Sequence, residues 1–267
     1  MGDSGNAIGI FDSGMGGLTV ARQVIERLPG ERIVYLGDTA RLPYGTKSPE
    51  TVVRYARACA QVLLKRGIKL LVVACNTASA YALEDLRAEL DIPVMGVVEP
   101  GARRAVDASQ SGRIGVIGTR GTIRSDEYRK AIHAIKTDAE IFSTACPLLV
   151  PLAEENWTTG QVPADVTRAY LVDLLDKDID TLILGCTHYP LLADVIAQTA
   201  GPSVTVVDSA EATAVVVEDT LSSMDLLTAG ESIVNHQFLV SDAPEDFART
   251  GKSFLGAPIE NVQWVDF

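Results

Sequence analysis

Two stretches decide how this chain is read: "VVACNTAS" over residues 72–79 and "LILGCTHYP" over residues 182–190. Each closes an apolar run with a cysteine, Cys75 or Cys186, and follows it with small polar residues. A short apolar run bounded by turn-forming residues predicts a buried strand. The chain holds a series of them: "AIGIFD", "ERIVYLGD", "IKLLVVAC" and "DIPVMGVVE", then "RIGVIGT", "AEIFSTAC", "DTLILGC" and "SVTVVD". Helical patterns lie between, such as residues 18–28 and 49–66, the second with Ser48 placed as its cap and Pro49 at its first position. Strands alternating with helices predict an α/β fold with mostly parallel sheets.

The later runs repeat the earlier ones. Ile8 and Ile114 stand 106 positions apart, Ile33 and Ile141 108, and Cys75 and Cys186 111. So constant an offset predicts duplication: two pseudo-symmetric α/β domains facing each other across a central cleft. The expected division gives residues 1–98 plus 210–267 to a first domain carrying Asp12 and Cys75, and 99–209 to a second carrying Cys186 and His188. A helical pattern over 211–222 and a last β/α/β stretch, "HQFLVSD" to "VQWVDF", are expected to return to the first domain.

With 267 residues, 47% of them hydrophobic, the chain can bury a substantial core. No apolar run approaches the roughly 18 residues of a membrane span, and "MGDSGNA" lacks the pattern of a secretory signal, so the cytoplasm is the expected location. In that reducing compartment the four cysteines, without CxxC spacing, are expected as free thiols. A net charge of −12, from 35 acidic and 23 basic side chains, argues against direct nucleic-acid binding, which needs clustered Lys and Arg.

Ligands of open parallel sheets gather beyond the carboxyl ends of the strands. Asp12, Ser13, Asp38, Cys75, Asn76, Thr77, Gly118, Thr119, Cys186, Thr187 and His188 all fall at such ends. Cys59, inside the helical pattern "RYARACAQVLL", and Cys146, before Pro147, read as core residues. Cys75 and Cys186 each stand where a strand stops and a helix is expected to begin. Unpaired N–H groups and the helix dipole there are expected to lower the thiol pKa.

A zinc site needs three or four ligands. Cys186 and His188 offer two, and His133 and His236 lie in unrelated stretches, so no metal is expected. In "DSGMGG", Thr19 replaces the third glycine of a dinucleotide loop, and nucleotide binding is weakly supported. The motif alone leaves Asp12 open between a helix cap and a site residue, and leaves Asn76, Thr77, Tyr44 and Gly45 open between turn or cap and ligand contact. Two thiols across one small cleft suit proton transfer at a carbon stereocentre: one removes a proton from one face, the other delivers a proton to the opposite face. No cofactor is needed for that.

"GIFDSGMGGLTV", "GDTARLPYG", "ACNTASA", "GVVEPGARRA", "PLLVPLAEE" and "LILGCTHYPLL", in that order, resemble the glutamate racemases of the cofactor-independent aspartate/glutamate racemase family. The resemblance runs from Ile8 to about Asp208, and "HQFLVSD" is similar to the family's C-terminal strand. It implies an isomerase that supplies D-glutamate for peptidoglycan and hence cell shape, with Cys75 and Cys186 as the two acid/base residues. It implies Asp12 and His188 as their assistants and Glu154 as a further carboxylate, with Glu155 the fallback. It places the substrate on Ser13, Tyr44, Gly45, Asn76, Thr77 and Thr187, with Thr119 and Thr122 added.

The resemblance also implies a homodimer and raises an interaction with DNA gyrase. Because no arginine stands within the cysteine motifs, hydroxyls and backbone N–H groups are expected to hold an acidic substrate. Two other readings stay open on sequence: a racemase for aspartate or a related acidic amino acid, and a two-lobed binding or regulatory protein with incidental thiols.

Overall fold

A computed structural model describes residues 4–228 and 234–267. Residues 1–3 and 229–233, which the expected first domain includes, lie outside the described residues. The strands are Ala7–Asp12 (β1), Ile33–Gly37 (β2), Ile68–Val73 (β3), Val94–Gly96 (β4), Arg113–Gly118 (β5), Glu140–Ala145 (β6), Thr181–Gly185 (β7), Thr205–Asp208 (β8), Gln237–Val240 (β9) and Val262–Trp264 (β10). The helices are Leu18–Arg27 (α1), Pro49–Leu64 (α2), Asn76–Glu89 (α3), Val98–Ala108 (α4), Arg120–Ser125 (α5), Glu127–Ile135 (α6), Leu149–Glu154 (α7), Gln161–Leu175 (α8), Ala193–Ala200 (α9), Ala210–Ser223 (α10) and Pro244–Leu255 (α11).

Every strand pair is parallel, in two sheets ordered β10-β9-β2-β1-β3-β4 and β6-β5-β7-β8. The order β2-β1-β3-β4 in one sheet is the order β6-β5-β7-β8 in the other, so the repeat read from the offsets is a repeat of topology. Central strands β1, β2, β3 and β7 are buried along their whole length. This explains their unbroken apolar runs, since a parallel sheet covered by helices has no wet face. The last stretch returns as expected: β9 pairs with β2 and β10 with β9.

Helix signals held locally. The Ser48 side chain accepts a bond from the Thr51 N–H and Pro49 opens α2, which stops at Leu64, two residues short of the expected end. Beneath the first sheet lies a buried ion pair. Lys69 of β3 reaches Glu31 at 2.6 Å, and its Nζ also donates to the carbonyls of Ser4 and Leu226. That cluster ties the segment after α10 to the amino ends of the strands.

In both sheets the strand order reverses between neighbouring central strands, β1 with β3 and β5 with β7. Crevices open at the carboxyl ends of such pairs. Asp12 ends β1, Cys75 follows β3, Thr119 follows β5 and Cys186 follows β7.

Candidate active site

Cys75 and Cys186 line one small cavity of about 30 Å³, shared with Ser13, Tyr44, Gly45, Asn76, Thr77, Thr119, Thr187 and His188 from the expected set. This cavity and a larger one of about 280 Å³ share Ser13, Pro43, Gly45, Thr119, Val150 and His188 as walls. The outer cavity adds Glu154 and, unforeseen from sequence, Arg120.

The strand-to-helix corners do not lower the pKa of Cys75 as expected. Cys75 caps α3, yet burial, reinforced by the nearby Asp12 carboxylate, pushes its thiol up to about 12. The dipole of one helix offers less than dehydration removes. Its Sγ lies 3.7 Å from the Ser13 hydroxyl. Cys186 departs from the expectation in a different way: a single helical turn at Tyr189–Leu192 follows it, and α9 begins at Ala193. What stands beside Cys186 is His188, with Nδ1 3.8 Å from Sγ.

The other face of the His188 ring meets Glu154, Nε2 to Oε1 at 3.0 Å. Burial opposes a charged imidazole, but bonds to Cys186 and Glu154 outweigh it and push the pKa up to about 10. The shift favours the charged form of the imidazole that stands between Cys186 and Glu154. Glu155 is exposed and closes α7, whereas Glu154 lines the outer cavity.

Asp12 is fully buried, and burial raises its pKa although His188 and the backbone N–H groups of Gly17, Gly14 and Ser13 pull the other way. Its Oδ2 accepts from Gly14 N at 3.0 Å, and its Oδ1 lies 3.5 Å from the Thr187 hydroxyl. Gly17 itself occupies the cap position of α1. Asp12 is thus the anchor of the loop that leads into α1, and it touches both halves of the molecule.

The loops after β1 and β7 are packed closely. A Cβ on Gly16 would lie 2.3 Å from Thr187 Oγ1 and 2.5 Å from His188 Nδ1. The Thr19 hydroxyl donates to the Thr187 carbonyl at 3.2 Å. Facing them, the hydroxyls of Thr77, Thr119 and Thr122 form a triangle of 2.8, 3.1 and 3.1 Å. Thr122 lines neither cavity and supports the other two.

Asn76 and Thr77 are the first two residues of α3 and lie inside the cap position, which Cys75 occupies. Tyr44 belongs to a helical turn, Tyr44–Thr46, after the cis Leu42–Pro43 bond. Tyr44 lines the inner cavity, but its hydroxyl is given to Asp38 at 2.5 Å and lies 3.7 Å from Cys59. Asp38 also accepts from Ser241 and Arg41. It stands at a strand end as read, and its task of holding the Tyr44 turn had no signal in sequence. All four cysteines are free, and Cys59 and Cys146 are fully buried.

The model of the Asp/Glu/hydantoin racemase family matches residues 9–217. The chain belongs to this family. A glutamate racemase of Geobacter metallireducens is 56% identical over 97% of this chain and 96% of its own length. Among solved structures, a glutamate racemase isoform from Bacillus anthracis superposes with a TM-score of 0.94 at 42% identity, covering 98% of this chain and 97% of that one. The glutamate racemase from Francisella tularensis, in complex with D-glutamate, gives a TM-score of 0.92 at 34% identity and 98% of both chains. Members of the family are isomerases. No helix among the described residues is long and apolar enough to cross a membrane.

Proposed function

We propose that this chain is a glutamate racemase that interconverts L- and D-glutamate by two-base proton transfer between Cys75 and Cys186, without a cofactor. The observation that carries the reading is that both thiols, from matching corners of two repeated sheets, line one cavity. Glutamate racemases similar along nearly the whole chain support glutamate over aspartate.

In this reading Cys186, beside the His188 imidazolium, removes the α-proton of L-glutamate, while the protonated Cys75 delivers a proton to the opposite face. From D-glutamate the direction reverses. Cys75 must then lose a proton that burial holds tightly, and the Asp12 carboxylate, whose pKa is itself raised, is the group beside it able to relay that proton. His188 and Glu154 serve Cys186 in the same capacity. Asn76, Thr77, Thr187, Ser13 and the Tyr44–Gly45 turn offer the amide, hydroxyl and backbone donors that hold the substrate's carboxylates.

Residues 1–98 with 210–267, and 99–209, act as the two lobes that close on the substrate. The enzyme works as a cytoplasmic homodimer that supplies D-glutamate for peptidoglycan. An interaction with DNA gyrase would be a second role, outside this chemistry.

The test is isotope exchange in deuterated water. Cys186→Ala and Cys75→Ala each lose racemisation. Cys186→Ala exchanges the α-proton of D-glutamate with retention, and Cys75→Ala that of L-glutamate. Near-normal racemisation by either variant, or the reverse pairing of variant and enantiomer, would overturn the two-base assignment.

A further inference from the structure

The side-chain amide of Asn76 has one end occupied and one end free. Oδ1 accepts a 2.7 Å bond from the Tyr128 hydroxyl. Nδ2 is one of two buried side-chain polar atoms among the described residues that have no partner, the other being Thr167 Oγ1. Asn76 lines the inner cavity, while Thr167 of α8 lines neither. A buried donor left unpaired costs about 1–3 kcal/mol. Asn76 is only 3% exposed.

The two ends of an amide are chemically opposite, since NH₂ only donates and oxygen only accepts. Tyr128 decides which end is turned away from the substrate. The phenol is 3% exposed, and burial keeps it protonated well past its ordinary pKa, so it always has a proton to donate. Ser209, between β8 and α10, is another polar neighbour of the phenol. A hydroxyl donating to the phenol oxygen leaves the phenol's own proton for Asn76. Two glycines make room for the ring: a Cβ on Gly185 would lie 3.0 Å from it, and one on Gly101 3.2 Å from its oxygen.

On the racemase reading above, we infer that Tyr128 is a positioning residue: by holding Asn76 Oδ1 it presents Nδ2, a donor, to a carboxylate of the substrate. With the amide reversed, the carboxylate would meet an oxygen and be repelled. Tyr128 belongs to α6 beside the second sheet and Asn76 to α3 beside the first, so the bond also joins the two halves behind the cavity.

A double-mutant cycle tests this on racemisation kinetics and on D-glutamate binding by calorimetry, with far-UV circular dichroism confirming that each variant is folded. Tyr128→Phe raises KM for both enantiomers about tenfold and changes kcat less than about threefold. Asn76→Ala raises KM by a similar factor. Adding Tyr128→Phe to Asn76→Ala then changes KM less than about twofold, because the phenol acts through the amide. Gly101→Ala, which crowds the phenol oxygen, shifts KM in the same direction as Tyr128→Phe.

An active wild-type enzyme with a Tyr128→Phe variant of unchanged KM would overturn this inference alone. So would a Tyr128→Phe effect of equal size in both backgrounds, which marks mere packing. A wild-type protein that neither binds nor racemises glutamate would overturn the function reading and this inference together.

Discussion

Nε2 of His188 lies 3.0 Å from Oε1 of Glu154 while its other ring nitrogen faces Cys186, so Cys186 and a carboxylate 34 residues back along the chain together raise the pKa of the imidazole between them. The sign of the linkage follows from the direction of the shift. A histidine whose pKa rises from 6.5 to about 10 on folding adds stability that is fully present below pH 6.5 and is lost as the pH rises through about 10.

Glu154→Gln removes that partner charge. The His188 titration, followed by NMR of the labelled imidazole, moves down from about 10 toward the ordinary histidine value. Because two enantiomers have equal free energy in water, kcat/KM must fall by the same factor in both directions, by about tenfold or more. Unequal losses in kcat alone remain allowed. An unmoved His188 titration would separate Glu154 from the imidazole.

Gly16→Ala forces a methyl group into the space of Thr187 and His188 at 2.3–2.6 Å. The variant loses about 1–3 kcal/mol of stability. Its activity falls about 100-fold, since an ångström of displacement at reacting groups costs that much. Thermal unfolding and polarimetry read the two effects separately, and normal activity would show that the loop gives way.

Lys69→Met breaks the buried pair with Glu31 and costs about 3–5 kcal/mol in urea unfolding. Glu31→Gln added to it recovers part of that loss, because the uncompensated carboxylate is gone. Activity per folded molecule stays close to normal, since the cluster lies at the opposite strand ends from the thiols.

Alkylation of Cys75 by iodoacetamide follows its thiolate fraction. With a thiol pKa near 12, labelling accelerates about tenfold per pH unit through the range that the fold survives. D-glutamate protects Cys75 and Cys186, while Cys59 and Cys146, fully buried, are labelled only on unfolding. Mass spectrometry of partly inactivated enzyme checks this, and inactivation that tracks Cys59 or Cys146 would contradict the assignment.

The fold was legible because buried parallel strands write themselves as unbroken apolar runs, and duplication wrote them twice. The cavity residues were legible because strand ends are marked by the polar residues that follow them, as at Cys75-Asn76-Thr77 and Cys186-Thr187-His188. What stayed hidden depends on depth and on contacts between distant segments. The corner that promised an acidic thiol at Cys75 is too dry to provide one. The bond from Tyr128 to Asn76 spans 52 positions, and the one from Ser241 to Asp38 spans 203; neither leaves a pattern in sequence. Arg120 lines the outer cavity from the first position of a six-residue helix whose polar and apolar positions give no hint of it.

The seating of β9 against β2 imposes an order on biosynthesis. Strands β5 to β8 form a sheet from one continuous stretch, residues 113–208, which can close while the chain is still on the ribosome. The first sheet cannot: the outer edge of β2, residues 33–37, waits for residues 237–240. At roughly 5–20 residues per second that wait lasts about 10–40 s, during which a fully apolar edge has unpaired backbone groups. Nascent chains stalled before Gln237 should therefore be the species that chaperones hold, and those stalled after the second sheet has emerged should already resist protease across residues 113–208.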